Sequence, residues 1–230
     1  MPDEQPEPKT PEIMKNVSKL TQSILLMAGL AGAGTASAAM IATESFDYSE
    51  DPLSGANGGT GWGGAWGNAS ANGSKNVVAG SLSSSLGETV SGNQVNMVGV
   101  SAGSAEIFRD LAVDWSVNAT YYVGFTFRKN SAVLRTTALS LFDGSNEELL
   151  IGPTSASNNF HLGKATLVDS GVEATTNDIF RLVAKIEVNS GGVDQFSLFV
   201  NQATEGTADA SGSEEIGTID RIRLFAGGGG

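Results

Sequence analysis

The sequence contains no cysteine and a single histidine, and these two shortages exclude several kinds of chemistry. Without a thiol the chain has no disulfide framework, no thiolate nucleophile and no Cys-ligated zinc. With His161 as the only imidazole, any site that needs two imidazoles is excluded. A Ser-His-Asp arrangement would have to use His161, which lies in the polar stretch ASNNFHLG and is interpreted as an ordinary surface residue.

Basic residues are also scarce, with 13 Lys+Arg against 25 Asp+Glu and a net charge of −12 over 230 residues. This balance argues against a nucleic-acid partner, because binding to phosphates needs a basic face. Charged residues make up 17% of the chain and apolar residues 40%, which is enough for one core in one domain. The acidic excess is interpreted as a solvated surface that keeps a secreted protein soluble.

Long hydrophobic runs are missing, and the one apolar stretch near the N-terminus is short. Lys15 and Lys19 precede the apolar stretch Ile24–Ala33, and the small-x-small pattern Ala36–Ala38 follows it. Three features in this order predict a signal peptide, with a helical apolar part, over residues 14–38. The alternative is a buried helix of the mature domain. Because spanning a bilayer takes about 20 apolar residues, membrane contact is expected only through this segment before its cleavage.

Residues 1–13, rich in proline and acid, precede this segment and show no apolar period. Such a composition cannot bury enough apolar surface to fold. We interpret them as an over-long gene start or a disordered extension. Cleavage is predicted after Ala38, which leaves residues 39–230 as a single domain, secreted to the extracellular space or the cell surface.

The predicted mature chain lacks sustained helical periodicity and shows short runs that alternate apolar and polar residues between Gly, Asn, Asp and Ser. Asp143-Gly144 predicts a tight turn, and the only helical turn is expected at Ser104–Leu111. The pattern predicts an all-β fold, an antiparallel two-sheet jelly-roll sandwich. The strands expected from it are Thr120–Arg128, Thr137–Phe142, Leu149–Gly152, Phe180–Val188, Gln195–Asn201 and Asp220–Phe225.

Two stretches carry a resemblance to a known class of proteins. Glu44–Gly67 reads ESFDYSEDPLSGANGGTGWGGAWG, and Arg181–Asn201 reads RLVAKIEVNSGGVDQFSLFVN. Together they resemble the opening segment and the central hairpin of secreted bacterial domains of the concanavalin A-like, laminin-G-like type. The resemblance implies a concanavalin A-like jelly roll in this chain.

The C-terminal end departs from that pattern. Similar proteins usually continue past a segment like IDRIRLFAGG into a last strand, and many then carry a Pro-Glu-Pro sorting tail with a membrane anchor. This sequence ends in four glycines at Gly230. Either the sequence is truncated and the sandwich lacks its last strand, or the sandwich closes its sheet differently, and the sequence gives no basis for predicting an anchor.

Aromatic residues are the candidate ligand-binding groups. Trp62 and Trp66 lie in the glycine-rich segment GWGGAWG, and an exposed indole stacks well on a sugar ring. The alternative is that both indoles plug one end of the sandwich while the glycines allow tight turns. Tyr121 and Tyr122 point to opposite sheet faces, so at most one can meet a ligand, and Tyr122 is the candidate.

Calcium is the candidate metal. Asp143, Ser145, Asn146 and Glu147 offer oxygen ligands within one short turn, and hard cations prefer oxygen. The alternative is an ordinary polar hairpin turn, since six to eight oxygens are usually needed and no Asp-x-Asp-x-Asp-Gly loop is present.

A glycan-hydrolysing site would need two carboxylates held about 5–9 Å apart, and the alternating Glu-x-Asp-x-Glu pattern of concanavalin-like glucanases is missing. The sequence therefore favours a secreted, non-catalytic binding module that engages polysaccharide at the cell surface or in the extracellular matrix. One alternative is a structural protein that assembles with itself through an open sheet edge. The other is a glycan hydrolase or lyase with an unrecognised site.

Overall fold

The computed structural model describes residues 24–30, 39–49, 51–67, 70–86, 91–101, 103–113, 115, 118–189 and 191–227. These ranges contain strands and turns but no helix, and hence no helix long and apolar enough to cross a bilayer. The strands are β1 (Ile24–Leu30), β2 (Ala39–Glu44), β3 (Asp51–Pro52), β4 (Ser74–Val78), β5 (Gln94–Val98), β6 (Ala105–Asp110), β7 (Ala119–Arg128), β8 (Thr137–Asp143), β9 (Asn146–Pro153), β10 (Asn159–Gly163), β11 (Val168–Glu173), β12 (Ile179–Val188), β13 (Asp194–Val200), β14 (Ala210–Glu214) and β15 (Arg221–Ala226).

The strands form two six-stranded sheets and one small sheet. The first sheet has the order β14-β13-β12-β7-β1-β2, and the second has the order β11-β10-β9-β8-β15-β6. Neighbouring strands in both sheets are antiparallel. The predicted all-β, antiparallel two-sheet jelly-roll sandwich is confirmed.

The core lies between the two large sheets and follows from alternation along their central strands. β7 and β12 pair over ten residues, from Ile179 opposite Arg128 to Val188 opposite Ala119. Because neighbouring residues of a strand point to opposite faces, every second side chain reaches the core. Burying one such large apolar side chain stabilises the fold by about 1.5–3 kcal/mol. Fully buried examples from both sheets are Val123, Leu182, Ala184, Ile186, Ile107, Leu141, Ile151 and Ile222.

One local prediction is wrong. Ser104–Leu111, expected as a helical turn, contains strand β6, which pairs with β15 from Ala105 opposite Ala226 to Asp110 opposite Arg221. Burial in β6 alternates with period two, so its pattern is that of a strand with one face in the core. Pairing with a distant strand therefore overrides the helix-forming composition of this segment.

The apolar part of the predicted signal peptide also differs from the expected helix. Ile24–Leu30 is the backbone of strand β1, which lies between β2 and β7 and pairs with both. The other predicted parts of the N-terminal region, residues 1–23 and 31–38, lie outside the described residues. Cleavage after Ala38 stays a prediction.

The small sheet has the order β3-β4-β5, and its strands β4 and β5 contact β6 and β15 of the second large sheet. Its edge strand β5 turns Val95 and Met97 toward the core, against which both side chains pack while partly buried. Residues of β5 form one wall of a cleft that residues at the ends of β7 and β15 also line.

Candidate functional site

The opening motif folds around a buried carboxylate. Glu44, at the end of β2, is fully buried, and its Oε1 accepts a hydrogen bond of 2.8 Å from the backbone N–H of Phe46. Its Oε2 accepts hydrogen bonds from the Tyr48 hydroxyl at 2.7 Å and from the Trp66 indole at 3.1 Å. The same oxygen forms an ion pair with the guanidinium of Arg109, whose side chain is equally buried. A buried charge is tolerated when it is paired and hydrogen-bonded in this way.

Arg109 of β6 connects this carboxylate to the glycine-rich segment. Its guanidinium donates hydrogen bonds to the carbonyl oxygens of Gly58 at 2.7 Å and Gly64 at 3.0 Å, and to Oδ1 of Asn57 at 3.2 Å. It also lies 4.8 Å from the centre of the Trp62 ring, a cation–π distance. We call the following residues the Glu44 cluster: Glu44, Tyr48, Trp62, Trp66 and Arg109.

The two candidate tryptophans belong to this cluster. Trp66 is 1% exposed, so its ring has no face to offer a sugar in this structure. Trp62 is partly exposed, and its indole N–H donates to the carbonyl oxygen of Thr43 at 2.8 Å. Trp62 and Trp66 contact each other with ring centres 6.2 Å apart, and a ligand-binding role for the pair stays a prediction. A stacking role would fall to Trp62, the partly exposed one of the pair.

Tyr122 lies on the outer face of the first sheet and is nevertheless buried. Its hydroxyl donates to Oε2 of Glu205 at 3.4 Å. Burial, and then the negative charge of Glu205, raises the pKa of Tyr122 to about 12. The neighbouring Tyr121 points to the core and stacks on Trp115 with ring centres 4.2 Å apart. Sugar stacking on Tyr122 would require this covered side chain to be uncovered first.

The candidate calcium residues form the turn between β8 and β9. The Asp143-Gly144 turn is confirmed, with a φ of +57° at Gly144, and Asp143 pairs with Asn146 across the hairpin. The Glu147 carboxylate accepts a hydrogen bond of 2.8 Å from Arg223, so it is directed to a cation of the protein itself. Across the described ranges, no three His, Cys, Asp or Glu residues come close enough to hold a metal ion. Ser145 is exposed at the tip.

The described structure contains a cleft that the sequence did not predict. It has a volume of about 600 Å³ and lies between β5 and the ends of β7, β8 and β15. Its apolar lining combines aromatic and aliphatic side chains from both large sheets and the small one: Phe46, Leu82, Val95, Met97, Phe125, Phe127, Leu139 and Leu224. Its neutral polar lining is rich in amides: Asn93, Gln94, Asn96, Thr126, Asn130, Ser131 and Thr137.

The charged lining of the cleft is entirely basic. Arg128, Lys129 and Arg135 line it, and no Asp, Glu, His or Cys is found among its described lining residues. Nη2 of Arg128 donates to Oε1 of Gln94 at 3.1 Å, which links the β7 wall to the β5 wall. The Lys129 ammonium donates to Oδ1 of Asn158, and burial lowers the pKa of Lys129. The cleft therefore carries positive charge on a protein of net negative charge.

The mouth of the cleft is apolar and open to solvent. Val98 is 46% exposed and Val133 is 52% exposed, and Leu134 beside them is 46% exposed. Exposed apolar groups that cluster around a concavity are typical of binding sites. The sequence carries one signal for this site, the segment RKNSAVLR at residues 128–135, which contains three cations, no acid and the two large aliphatic residues Val133 and Leu134. Its other walls come from separate strands and share no motif.

Comparisons with known proteins add a single structural likeness. No family model matches the chain, and no curated protein matches it significantly. Among solved structures, the globular domain of calreticulin from T. cruzi is similar over 71% of this chain and 78% of that chain, with 9% sequence identity and a TM-score of 0.47. The cleft and the Glu44 cluster are therefore described from the structure of this chain alone.

Proposed function

We propose that this protein is a secreted, non-catalytic binding module that engages polysaccharide at the cell surface or in the extracellular matrix. The observation that carries the proposal is the open cleft of about 600 Å³. Pockets for small ligands usually have about 300–1,000 Å³ and combine an apolar lining with a few convergent polar groups. The cleft has this size and this composition.

The chemistry of the lining suits sugar rings. Each ring has an apolar C–H face, which Phe46, Phe125 and Met97 can contact, and a rim of hydroxyl groups. The amides of Asn93 and Asn130 can both donate to and accept from hydroxyls. In this proposal the cleft takes the binding role that the sequence suggested for the tryptophans.

The same lining favours binding over hydrolysis. Glycosidases use two carboxylates about 5–9 Å apart, one as acid and one as base or nucleophile. The described lining of the cleft contains no carboxylate, so it holds no pair for this chemistry. A bound polysaccharide would stay intact in this cleft.

Secretion is supported by the order of charge, apolar stretch and small residues in the N-terminal segment. Expression of the full chain in an exporting bacterium, followed by N-terminal sequencing of the exported protein, tests this part. The expected first residue is Ala39. An exported protein that keeps Ile24–Leu30 would contradict the predicted cleavage.

The binding proposal is tested by a glycan-array screen of the purified full chain, with and without calcium. Calorimetry on any hit then compares two variants. Ser131→Trp places an indole at the exposed mouth of the cleft, and Thr204→Trp places one on an exposed loop outside the lining. We expect Ser131→Trp to weaken binding at least tenfold and Thr204→Trp to leave it unchanged. Absence of any glycan ligand, or equal affinity in both variants, would refute the proposal.

Self-assembly is a second candidate because of the position of β1. This strand fills the space between β7 and β2, so a chain without residues 1–38 would leave an unpaired edge of β7. Such edges pair readily with strands of other chains. Light scattering on the exported, processed protein tests this candidate, and a strict monomer at high concentration would exclude it.

A further inference from the structure

A buried lysine connects the two large sheets through a side-chain amide. Lys129 directly follows β7 of the first sheet and is 5% exposed, and its ammonium donates a hydrogen bond to Oδ1 of Asn158. Asn158 directly precedes β10 of the second sheet and is half-buried. Because Cγ of Asn158 is bonded to Oδ1, this hydrogen bond brings the lysine nitrogen next to the carbonyl carbon of an amide.

One short segment after β11 holds both residues in place. The backbone N–H of Asn177 donates to the carbonyl oxygen of Lys129 at 2.7 Å, and that of Ala174 donates to the carbonyl oxygen of Asn158 at 2.9 Å. Lys129 also forms a β-bridge with Thr176. Both backbones are thus fixed to the same segment, which holds the two side chains together. Groups held in this way react with each other far faster than separate molecules do.

The surroundings favour the neutral, nucleophilic form of the lysine. Phe127, two residues before Lys129, and Phe160, two residues after Asn158, are buried in the core with ring centres 5.5 Å apart. Burial lowers the pKa of Lys129 and outweighs the opposing effect of the negative charge of Glu173. A desolvated lysine amine is an established nucleophile toward carbonyl carbons.

Glu173 is the carboxylate that can accept a proton beside this pair. It lies opposite Asn159 across β10 and β11, and its negative charge acts on the Lys129 ammonium. Glu173 is also exposed, so a proton or an ammonia molecule released beside it has a direct route to solvent. Proton transfer by a positioned carboxylate typically accelerates such a step about 10²–10⁴-fold.

We infer that Lys129 and Asn158 form an intramolecular isopeptide bond, which cross-links the two large sheets. Nζ of Lys129 attacks Cγ of Asn158, a C–N bond forms between them, and the bond from Cγ to Nδ2 breaks. Of the three protons on Nζ, one stays in the new amide and two leave with Nδ2 as an ammonium ion. Glu173 carries one of these two protons from the lysine to the leaving nitrogen. No atom is oxidised or reduced, and no co-reactant is needed.

Denaturing mass spectrometry of the purified full chain tests the inference, and it does not depend on what the cleft binds. Once the N-terminal residue has been determined, we expect a mass lower than that of the sequence by one ammonia. Trypsin cleaves after Arg128, Arg135 and Lys164. A branched peptide that joins residues 129–135 to residues 136–164 therefore locates the bond.

Two lysine variants connect the mass loss to this site. Lys129→Arg keeps a positive charge and a hydrogen-bond donor but removes the nucleophilic amine, so the ammonia loss should disappear. Lys185→Arg is the matched control, because Lys185 pairs with Glu205 at the surface, and it should keep the loss. The bond closes a loop of 29 residues, so the melting temperature of Lys129→Arg should lie roughly 7–14 °C below that of the control.

The role of Glu173 is tested by the rate of bond formation. In newly synthesised Glu173→Gln, the ammonia loss should appear about tenfold or more slowly than in the parent protein. Glu173→Asp keeps a carboxylate and should recover part of this rate. Equal rates in the parent and in Glu173→Gln would refute the proton transfer assigned to Glu173.

The parent protein decides the inference even where a variant does not fold. If the folded parent keeps its full sequence mass after prolonged incubation, the inference is overturned and the contact is a hydrogen bond only. Succinimide formation at Asn57-Gly58 or Asn72-Gly73 would also release ammonia. A loss that maps to either of these sequences, or that persists in Lys129→Arg, overturns the inference as well.

Discussion

Removal of the charge of Glu44 should be among the most damaging conservative substitutions in this chain. Glu44→Gln keeps the size of the side chain but leaves the guanidinium of Arg109, which is 0% exposed, without its counter-charge. Breaking a buried ion pair from one side typically costs about 3–5 kcal/mol, because the remaining charge stays buried. For a domain of this size each kcal/mol lowers the melting temperature by about 2–4 °C, so we expect a decrease of roughly 6–20 °C.

Urea unfolding followed by intrinsic fluorescence measures this effect, since Trp62 and Trp66 belong to the Glu44 cluster. The midpoint should fall with little change of slope. The matched control is Glu187→Gln, whose side chain is 47% exposed and pairs with Lys185 at the surface, where a loss below about 1 kcal/mol is expected. A free energy of unfolding for Glu44→Gln within 1 kcal/mol of the parent would show that the buried pair does not hold the motif together.

Two further predictions concern the same fold. Gly61→Ala should destabilise the protein by about 3 kcal/mol or more, because Gly61 has a φ of +79° and a Cβ there would lie 1.8 Å from the carbonyl oxygen of Ile41. Gly64→Ala, three residues away with open space around it, should change stability by less than about 1 kcal/mol, and equal losses in the two variants would contradict this reasoning. The pKa of Tyr122 is raised from 10.0 to about 12, so its contribution to stability is complete below pH 10 and is lost as the pH rises through about 12. The stability difference between the parent and Tyr122→Phe should therefore shrink by roughly 2–3 kcal/mol over this range in urea titrations, and a constant difference would refute the assignment.

The sheets could be predicted from the sequence where alternation is regular. β7 and β12 begin within one residue of the predicted strands, because large apolar residues recur at every second position over most of both sequences. β6 could not be predicted in the same way. Its buried Arg109 has its counter-charge in Glu44, 65 residues earlier in the chain, and no local pattern indicates such a partner.

The candidate site could not be predicted from any single segment of the sequence, because it is formed by contacts between distant segments. The glycine-rich motif around Trp62 and Trp66 was recognised, but the burial of Trp66 depends on packing against Phe46 and on its hydrogen bond to Glu44. The cleft is lined by residues from five strands and their loops, brought together by sheet pairing alone. The sequence shows that Arg128 and Arg135 are charged, but only the structure shows that both line the same cleft.

The position of β1 has a consequence for the order of events during synthesis. Leu25 of β1 pairs with Gly124 of β7, which follows it by 99 residues along the chain. At about 5–20 residues per second, a ribosome delivers β7 roughly 5–20 s after β1. Throughout this interval the apolar segment has no β7 partner and stays accessible to the export machinery. On the proposed route of export, a nascent chain that is recognised before β7 is synthesised loses β1 by cleavage. A chain that is not recognised in this interval completes its first sheet with β1, and its signal segment is then no longer accessible.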